Sequence, residues 1–336
     1  MVKLAIDAMG GDFAPEETVK GVNLAIKEFS DIELVLYGDE VEIKKYLEES
    51  DRVKIVHAPS KIDMGEKDPI GEIRRNRDTS LVKAFEAVKN KEVDGVVTAG
   101  PTQAVISAAH LIIRRIKGMK RVALCPTLPN IGDKARILLD VGANIELRSE
   151  HLVQLAEYAT IYLREVKGIK DPLIGLLNIG TEPGKGREVD KETYYAMEAN
   201  KNIHFYGNVE PKELFSTPCD ALITDGFTGN MVIKTCEGSA KAIGGFLKTE
   251  IKASFMAKIG YFFMSKVFKR FKKIMNSDEI GGAVLFGVDG TVVKSHGSSS
   301  AYAFYRAIEK AREISIAQVT DKMKKIIEES GAINEE

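Results

Sequence analysis

The sequence predicts an α/β protein in which a doubly wound, mostly parallel sheet lies between two layers of helices, a three-layer α/β/α sandwich. Short apolar runs alternate with longer amphipathic runs along most of the 336 residues. Several apolar runs also end at loops of glycine and small polar residues, as strands of open α/β sheets do. We expect one α/β/α domain over residues 1–331, with an amphipathic helical protrusion within it at 246–275.

The individual elements carry local signals. The run 2–6 is a short buried strand, and Pro15, Glu16 and Glu17 are residues that favour a helix N-terminus. Strands are predicted at 2–6, 32–37, 53–56, 93–98, 122–124, 137–141, 173–179, 203–206 and 221–224. Helices are predicted at 15–29, 79–90, 102–116, 149–166 and 298–313. This alternation is typical of βαβ units, with helices on both faces of the sheet.

Six loops at predicted strand ends or helix starts combine glycine with Asp, Asn, Thr or Ser. Because a parallel sheet places the carboxyl ends of its strands at one edge, we expect these loops to converge on one crevice. Glycines let the backbone approach a ligand, and free N–H groups at a helix start favour an anion. The alternative is that such residues only make the turns that every α/β fold needs. The candidate ligand-binding residues of these loops are Asp7, Gly10, Gly11, Asp12, Gly100, Thr102, Asn144, Asn178, Gly180, Asp225, Gly226, Thr228, Gly229, Gly297 and Ser298.

Four further side chains are candidates for catalysis or ligand binding. His296 is the histidine that lies in a glycine-serine loop, and its imidazole titrates near neutral pH. Lys185 stands between two glycines after a strand, where a cation suits an anionic ligand, although a solvated loop lysine explains it equally well. Asn230 ends a glycine-rich loop, and Lys234 follows it by one helical turn.

Composition excludes several classes of function. The 48 basic and 49 acidic residues nearly balance, so no global field favours nucleic acid as a partner. Three cysteines without a CxxC pair are typical of a reducing cytoplasm. No signal segment and no apolar run of spanning length is evident, so we expect a cytoplasmic location.

Standard cofactor motifs are missing, so we expect no cofactor and no metal. No GxGxxG follows a strand, and neither HExxH nor GxSxG occurs. The stretch 180–186 resembles a P-loop, but the first glycine is misplaced and Gly186 stands where Ser or Thr is required.

The segment 246–275 differs from the rest of the chain. It holds seven aromatic residues, and eight basic residues against one acid. Apolar positions at steps of three or four indicate one helix face, with a break expected near Gly260. A cationic, Phe-rich amphipathic helix suits an anionic membrane surface, and packing on a twin subunit is the alternative. The predicted membrane-contacting residues are Phe255, Ile259, Phe262, Phe263, Val267 and Phe271.

The order of these motifs resembles that of the PlsX family, the phosphate acyltransferases of bacterial phospholipid synthesis. The resemblance covers about residues 3–315. It rests on IDAMGGDFAP at 6–15, DVGAN at 140–144, LLNIG at 176–180, GNVE at 207–210, DGFTGN at 225–230 and HGSS at 296–299.

The resemblance implies transfer of a long-chain acyl group from acyl carrier protein to inorganic phosphate. It also implies a fold similar to isopropylmalate dehydrogenases and phosphotransacetylases, a homodimer, and peripheral membrane association through a helical region that aligns with 246–275. For this reaction we expect Gly10, Gly11 and the 297–299 loop to supply N–H donors, with Lys185 or Lys234 as the counter-charge of the phosphate. His296 is expected to position phosphate or to donate to the oxyanion.

Three stretches depart from the family pattern. Family members usually have SAGNTGA where this chain has TAGPTQA at 98–104, and GGAPLLG where it has GGAVLFG at 281–287. An acidic stretch after the NIG motif is Thr-Glu-Pro at 181–183. A diverged paralogue that acts as another acyl or phosphate transferase is therefore an alternative.

Other classes stay open from the residues alone. They are a nicotinamide-dependent dehydrogenase of related fold, a non-enzymatic membrane scaffold built on 246–275, and a Mg²⁺ phosphatase or kinase built on Asp7, Asp12 and Asp225. A covalent acyl-cysteine route through Cys125, Cys219 or Cys236 is a weaker variant of the acyl transfer mechanism.

Overall fold

The computed structural model describes residues 1–128, 136–275 and 281–329, so the end of the predicted domain at 330–331 lies outside the described residues. The strands are β1 (Val2–Asp7), β2 (Ile32–Gly38), β3 (Val53–His57), β4 (Gly95–Thr98), β5 (Ala123–Leu128), β6 (Arg136–Leu139), β7 (Leu173–Leu177), β8 (His204–Val209), β9 (Ala221–Ile223), β10 (Ala283–Phe286) and β11 (Thr291–Lys294).

The helices are α1 (Glu16–Glu28), α2 (Glu40–Lys44), α3 (Pro69–Arg75), α4 (Ser80–Lys89), α5 (Thr102–Ala108), α6 (Ser149–Glu165), α7 (Glu188–Ala199), α8 (Gly226–Ala253), α9 (Phe255–Met275), α10 (Ala301–Ile316) and α11 (Val319–Glu329). A π-helical turn, Ala109–Ile113, continues α5, and a 3-10 turn, Pro211–Glu213, precedes β9.

Within the described residues, eleven strands form one sheet in the order β3-β2-β1-β4-β11-β10-β5-β6-β9-β7-β8. The strands from β3 to β11 are mutually parallel, and so are those from β6 to β8. Three antiparallel pairings, β11 with β10, β10 with β5 and β5 with β6, separate the two parallel groups. An odd number of reversals makes the two groups run in opposite directions. The expectation that all the strands end at one edge is therefore wrong.

Successive residues of β1 face opposite sides of the sheet, and both sides are buried. Leu4 and Ile6 of β1 belong to one apolar cluster, which includes residues of α1, α6, α10 and α11. Ala5 between them belongs to a second cluster, which includes residues of α3, α4 and α5. A strand that is apolar on both sides needs helices on both faces, so the predicted three-layer α/β/α sandwich is confirmed.

Most predicted strands form within one to three residues of the expected bounds, whereas the sequence analysis did not predict β10 and β11. The helix expected at 298–313 begins at Ala301, because the Ser300 hydroxyl accepts from the Ala303 N–H and caps the helix.

The protruding segment consists of the end of α8 and all of α9, and the two helices contact each other. The break lies at Ser254, which has extended backbone angles, and the prediction of a break near Gly260 is wrong. Phe262 and Phe263 on α9 are more than 70% exposed. None of the helices in the described residues combines the length and the apolar composition that a bilayer-spanning segment requires.

Candidate active site

A pocket of about 600 Å³ lies over the central strands β5 and β10. Its walls come from both parallel groups of strands: residues that follow β1, β4 and β11 on one side, and residues that follow β6 and β9 on the other. The central strands are only four to six residues long. A pocket across their face is therefore reached from both edges of the sheet. Loops that the opposite strand directions would separate meet there.

Three basic side chains line one part of the pocket. They are Lys234 on α8, Lys294 at the end of β11 and His296 in the following loop. The Lys234 ammonium lies 2.7 Å from a carboxylate oxygen of Glu237 and is half exposed. Asp12 from the first loop is also in the lining. This part of the pocket is suited to an anion.

Lys294 is the most buried of these cations. Its Nζ donates to the Ser295 carbonyl oxygen at 2.9 Å. Burial and, to a smaller extent, the neighbouring Lys234 lower the pKa of Lys294 to about 8, with Asp12 opposing the shift. A lysine with this pKa is mostly protonated at neutral pH, although its partial removal from water makes the charged form less favourable.

The His296 ring is fixed by its own loop. The Ser298 N–H donates to His296 Nδ1 at 3.3 Å, and the Ser298 hydroxyl lies 2.9 Å from the same nitrogen. Because Nδ1 accepts from a backbone N–H, the neutral imidazole carries its proton on Nε2. Burial, Lys294 and Lys234 lower the pKa of His296, in that order of size, so the neutral form is favoured at pH 7. The ring is thus prepared to donate from Nε2.

The rest of the pocket is largely apolar. Leu124, Leu128, Val141, Phe215 and Ile233 all line it. Such a wall binds hydrocarbon, and its continuity with a cationic region suits an amphiphilic ligand.

The glycine-rich first loop has a structural role that the sequence analysis did not separate from ligand binding. Asp7 is buried and accepts hydrogen bonds from the hydroxyls of Ser80 and Thr98, both at 2.7 Å. Burial raises the pKa of Asp7, and these bonds oppose the rise. A Cβ on Gly10 would overlap the Asp7 carboxylate, and Gly11 has a φ of +112°.

Asp12 is the member of the first loop that reaches the pocket. Its N–H donates to the Gly297 carbonyl oxygen at 2.8 Å and so joins the first loop to the loop after β11. Asp7, Gly10 and Gly11 lie outside the pocket lining. Among the described residues, the N–H groups of Gly11 and Gly297 have no acceptor, and Gly297 lines the pocket, so its N–H is available to a ligand there.

The loop 140–144 is also built on a buried carboxylate. Asp140 accepts from the backbone N–H groups of Leu124, Gly142, Ala143 and Asn144, at 2.8 to 3.2 Å. The Asn144 side-chain amide donates to Asp140 and to the Val122 carbonyl oxygen, so its donors are already used. Of this loop, Val141 and Gly142 line the pocket.

The start of α8 packs directly on that loop. A Cβ on Gly226 would overlap the Asn144 carbonyl oxygen, and one on Gly229 would overlap the Asp140 carbonyl oxygen. These two glycines serve close packing, which leaves Asn230 to face the pocket.

Asp225 caps α8. Its carboxylate accepts from the Thr228 N–H at 2.7 Å and lies 2.5 Å from the Arg187 guanidinium. Arg187, which the sequence analysis missed, also pairs with Asp190 at 2.9 Å. These contacts satisfy Asp225 within the protein, and neither Asp225 nor Thr228 lines the pocket.

The predicted residues of the 178–186 loop lie away from the pocket. The Asn178 amide donates to the Asn208 side chain and to the Lys185 carbonyl oxygen, each at 3.1 Å. The Lys185 side chain passes over Gly180 and is exposed. None of these three predicted residues contributes to the lining, although the adjacent Arg187 connects their loop to the start of α8.

The loop that departs from the family pattern does reach the site. Thr102 and Gln103 at the start of α5 line the pocket, whereas Gly100 lies behind it near Leu81. Of the predicted residues, the pocket lining therefore contains Asp12, Thr102, Asn230, Lys234, His296 and Gly297.

Lys294 is the main residue that the sequence analysis missed. The signal was present, because Lys294 ends an apolar run, Val292-Val293, directly before the Ser295-His296 loop. Because Lys294 is the last residue of a strand, its side chain lies next to the loop that follows, and this loop contributes His296 to the site.

Comparison with known proteins places this architecture in a family. The sequence matches the family described as "Fatty acid synthesis protein" over residues 2–322. It is 51% identical over 330 residues to the phosphate acyltransferase of Acholeplasma laidlawii, covering 97% of this chain and 98% of that protein. The chain belongs to the PlsX family. A phosphate acyltransferase of Staphylococcus aureus is 46% identical over 98% of this chain and 99% of its own.

Solved structures similar to this PlsX family member show the same fold. A phosphotransacetylase from Streptococcus pyogenes superposes with a TM-score of 0.59 at 17% identity, covering 95% of this chain and 94% of its own. A branched-chain phosphotransacylase from Enterococcus faecalis gives 0.59 at 14% identity, covering 94% and 99%. At these identities the likeness shows the fold alone, and the phosphotransacetylase-like α/β fold is confirmed.

The described residues also bear on metal binding. Among them, no three His, Cys, Asp or Glu side chains lie close enough together to hold a metal ion.

Proposed function

We propose that this protein is an acyltransferase that moves a long-chain acyl group from acyl carrier protein to inorganic phosphate, giving an acyl phosphate for phospholipid synthesis. The observation that carries the proposal is a pocket with two chemical characters. Lys234, Lys294 and His296 suit the phosphate, and the wall of Leu124, Leu128, Val141, Phe215 and Ile233 suits the acyl chain. The names of the full-length relatives, phosphate acyltransferase, support the same chemistry.

The reaction does not require a strong general base. A phosphate oxygen attacks the thioester carbonyl carbon, the C–O bond forms, the C–S bond breaks, and the thiolate leaves with the electron pair. A substantial fraction of phosphate is the dianion at pH 7, and a thiol with a pKa of about 8.5 leaves readily. The protein has to position phosphate, offset its charge and stabilise the tetrahedral oxyanion.

The pocket residues divide these tasks. Lys294, charged and only partly exposed, is the main counter-ion of the phosphate, and Lys234 adds a second, more exposed charge. His296 donates from Nε2 to the oxyanion, as does the free N–H group of Gly297. The donor role predicted for Gly10 and Gly11 stays a prediction, because both lie outside the pocket lining. The Asn230 amide orients the substrate. The catalytic role predicted for Lys185 stays a prediction, because that lysine lies outside the pocket lining.

The decisive experiment measures thiol release from palmitoyl–acyl carrier protein with and without phosphate, with hydroxylamine to trap the product. We expect phosphate-dependent release and a hydroxamate that reports acyl phosphate. Release that does not need phosphate would identify a thioesterase instead. No release by folded protein with a competent carrier would favour the diverged-paralogue alternative and direct attention to Thr102 and Gln103.

We further propose that the protein is cytoplasmic, forms a homodimer and meets the membrane peripherally through α9. Phe255, Phe262, Phe263 and Val267 are at least 60% exposed, whereas Ile259 and Phe271 are just under 40% exposed. Exposed aromatic residues among basic residues favour insertion at an anionic lipid surface. Packing of the same face against a second copy is the competing arrangement.

A further inference from the structure

A second basic segment lies outside both the pocket and α9. The run 114–121 reads RRIKGMKR and holds five basic residues, no acid and no aromatic residue. It connects the π-helical turn after α5 to β5, and all five basic residues are exposed. We call Arg115, Lys120 and Arg121 of this run, together with Arg148 before α6, the basic patch.

The basic patch holds positive charges close together. The guanidinium groups of Arg115 and Arg121 both donate to the Lys120 carbonyl oxygen, Arg121 at 3.0 Å. Two guanidinium groups that meet at one carbonyl repel each other, and an anion that accepts from their remaining N–H groups would relieve this repulsion.

Little within the protein neutralises this charge. Glu150 lies 3.1 Å from the Lys120 ammonium. In the described part of the chain, no carboxylate lies within 4 Å of the guanidinium groups of Arg115, Arg121 or Arg148. The positive charge of the basic patch also acts on His110. Burial lowers the pKa of His110 most, and Arg115 and Arg121 lower it as well.

The basic patch adjoins the edge of the pocket. Arg121 precedes the pocket residue Leu124 by three positions, which is about 10 Å of extended chain. The Val122 carbonyl between them accepts from the Asn144 amide at 2.6 Å, which fixes the 140–144 loop against it. Gly142 of that loop lines the pocket, and Ile145 beside it is 77% exposed.

We propose that the basic patch docks the acidic face of the carrier protein and sets its prosthetic arm at the 140–144 edge of the pocket. This inference rests on the proposed function. Arginine forks match carboxylates bidentately, and an apolar residue within a charged rim is the usual anatomy of a docking surface. A membrane is the weaker occupant, because the run 114–121 has no aromatic residue to insert, in contrast to α9.

The test compares two acyl donors. The variant R115E/R121E reverses two charges of the basic patch. K170E/K201E is a matched reversal before β7 and β8, at the other edge of the sheet, where both lysines are exposed. Each protein is assayed with palmitoyl–acyl carrier protein and with palmitoyl-pantetheine, which has the same thioester but no protein. Thermal unfolding establishes that the variants are folded, and R121E alone serves if the double variant is not.

We expect the KM of R115E/R121E for the carrier substrate to rise at least tenfold, with kcat and the palmitoyl-pantetheine kinetics within twofold of wild type. The wild-type KM for the carrier should rise with ionic strength, and that dependence should weaken in the variant. K170E/K201E should behave as wild type.

Three results would overturn the docking proposal: an equal loss with both donors, an unchanged carrier KM, or loss of binding to anionic vesicles without a change in carrier KM. The proposed function fails in a different way, because wild-type protein would then make no acyl phosphate from either donor.

Discussion

Lys294 provides a quantitative test of the proposed site, because its charged form lowers the free energy of unfolding. Burial lowers its pKa from 10.5 to about 8. At about 1.4 kcal/mol per pKa unit, this shift corresponds to roughly 3 kcal/mol against folding with a charged lysine. Its hydrogen bond to the Ser295 carbonyl returns about 1 kcal/mol. Replacing Lys294 by Met, which has a similar shape and no charge, should therefore stabilise the protein by about 2 kcal/mol at pH 7.

The pH dependence of this gain has a definite sign. The folded-state pKa is below the unfolded value, so the unfolded chain binds more protons between pH 8 and 10.5. The penalty is complete below about pH 8 and disappears as pH rises towards 10.5. The advantage of K294M should therefore be constant up to neutral pH and shrink above pH 8. Buried Lys310, whose pKa is about 7, titrates in both proteins and cancels in the difference.

Activity should change in the opposite direction. Loss of the buried counter-ion should lower kcat/KM for phosphate by about 100-fold, which corresponds to about 3 kcal/mol of transition-state stabilisation. Lys294→Arg should recover part of this loss, because it keeps the charge. Wild-type kcat/KM for phosphate should fall as pH rises through about 8.

The measurements are urea unfolding of wild type and K294M between pH 6.5 and 9.5, together with acyl phosphate formation by both proteins. A K294M protein that is less stable at pH 7, or that retains kcat/KM within a factor of two, would refute the assignment of Lys294 as a buried counter-ion.

Three further predictions concern packing, the cysteines and the membrane. Gly229→Ala places a methyl group on the Asp140 carbonyl and should cost about 3 kcal/mol or more in the free energy of unfolding, measured in urea; an unchanged midpoint would contradict the packing argument. Replacing all three cysteines by Ala or Ser should leave kcat within a few-fold, because burial raises the pKa of each thiol, that of Cys219 to about 11; complete loss in a folded protein would favour an acyl-cysteine intermediate. Phe262→Ser with Phe263→Ser should abolish flotation with anionic liposomes while the same changes at exposed Tyr195 and Tyr206 do not, and retained flotation would exclude α9 as the anchor.

The strands of the two parallel groups, apart from β11, were predictable because each is a nearly continuous apolar run between turn signals. β10 and β11 were not predicted, since each has four residues and lies among glycines. The consequence is larger than two missing strands. The antiparallel pairings of β11 with β10, β10 with β5 and β5 with β6 together make the group from β6 to β8 run opposite to the group from β3 to β11. Pairing partners that are distant in sequence leave no local signal for this.

The sequence indicated which loops meet but not which side chains face the ligand. Glycine is needed where a backbone approaches a ligand and also where it approaches another backbone, and the residue type is the same in both cases. Gly226 and Gly229 belong to the second case, since a Cβ on either would overlap the 140–144 loop. His296 and Lys234 were found because a charged or titratable side chain next to a glycine loop has fewer structural explanations.

The acidic residues of these loops explain how an aspartate-rich site can suit an anion. Asp7, Asp140 and Asp225 each accept several hydrogen bonds from hydroxyl, N–H or guanidinium donors inside the protein. Their oxygens are therefore occupied, and burial raises the pKa of Asp7 and Asp140, which reduces the negative charge they present. Lys294 at the pocket is not cancelled in this way, because it has no carboxylate partner among the described residues, whereas Lys234 pairs with Glu237. The acids hold the loops in place, and the field that a phosphate meets is set by the cations.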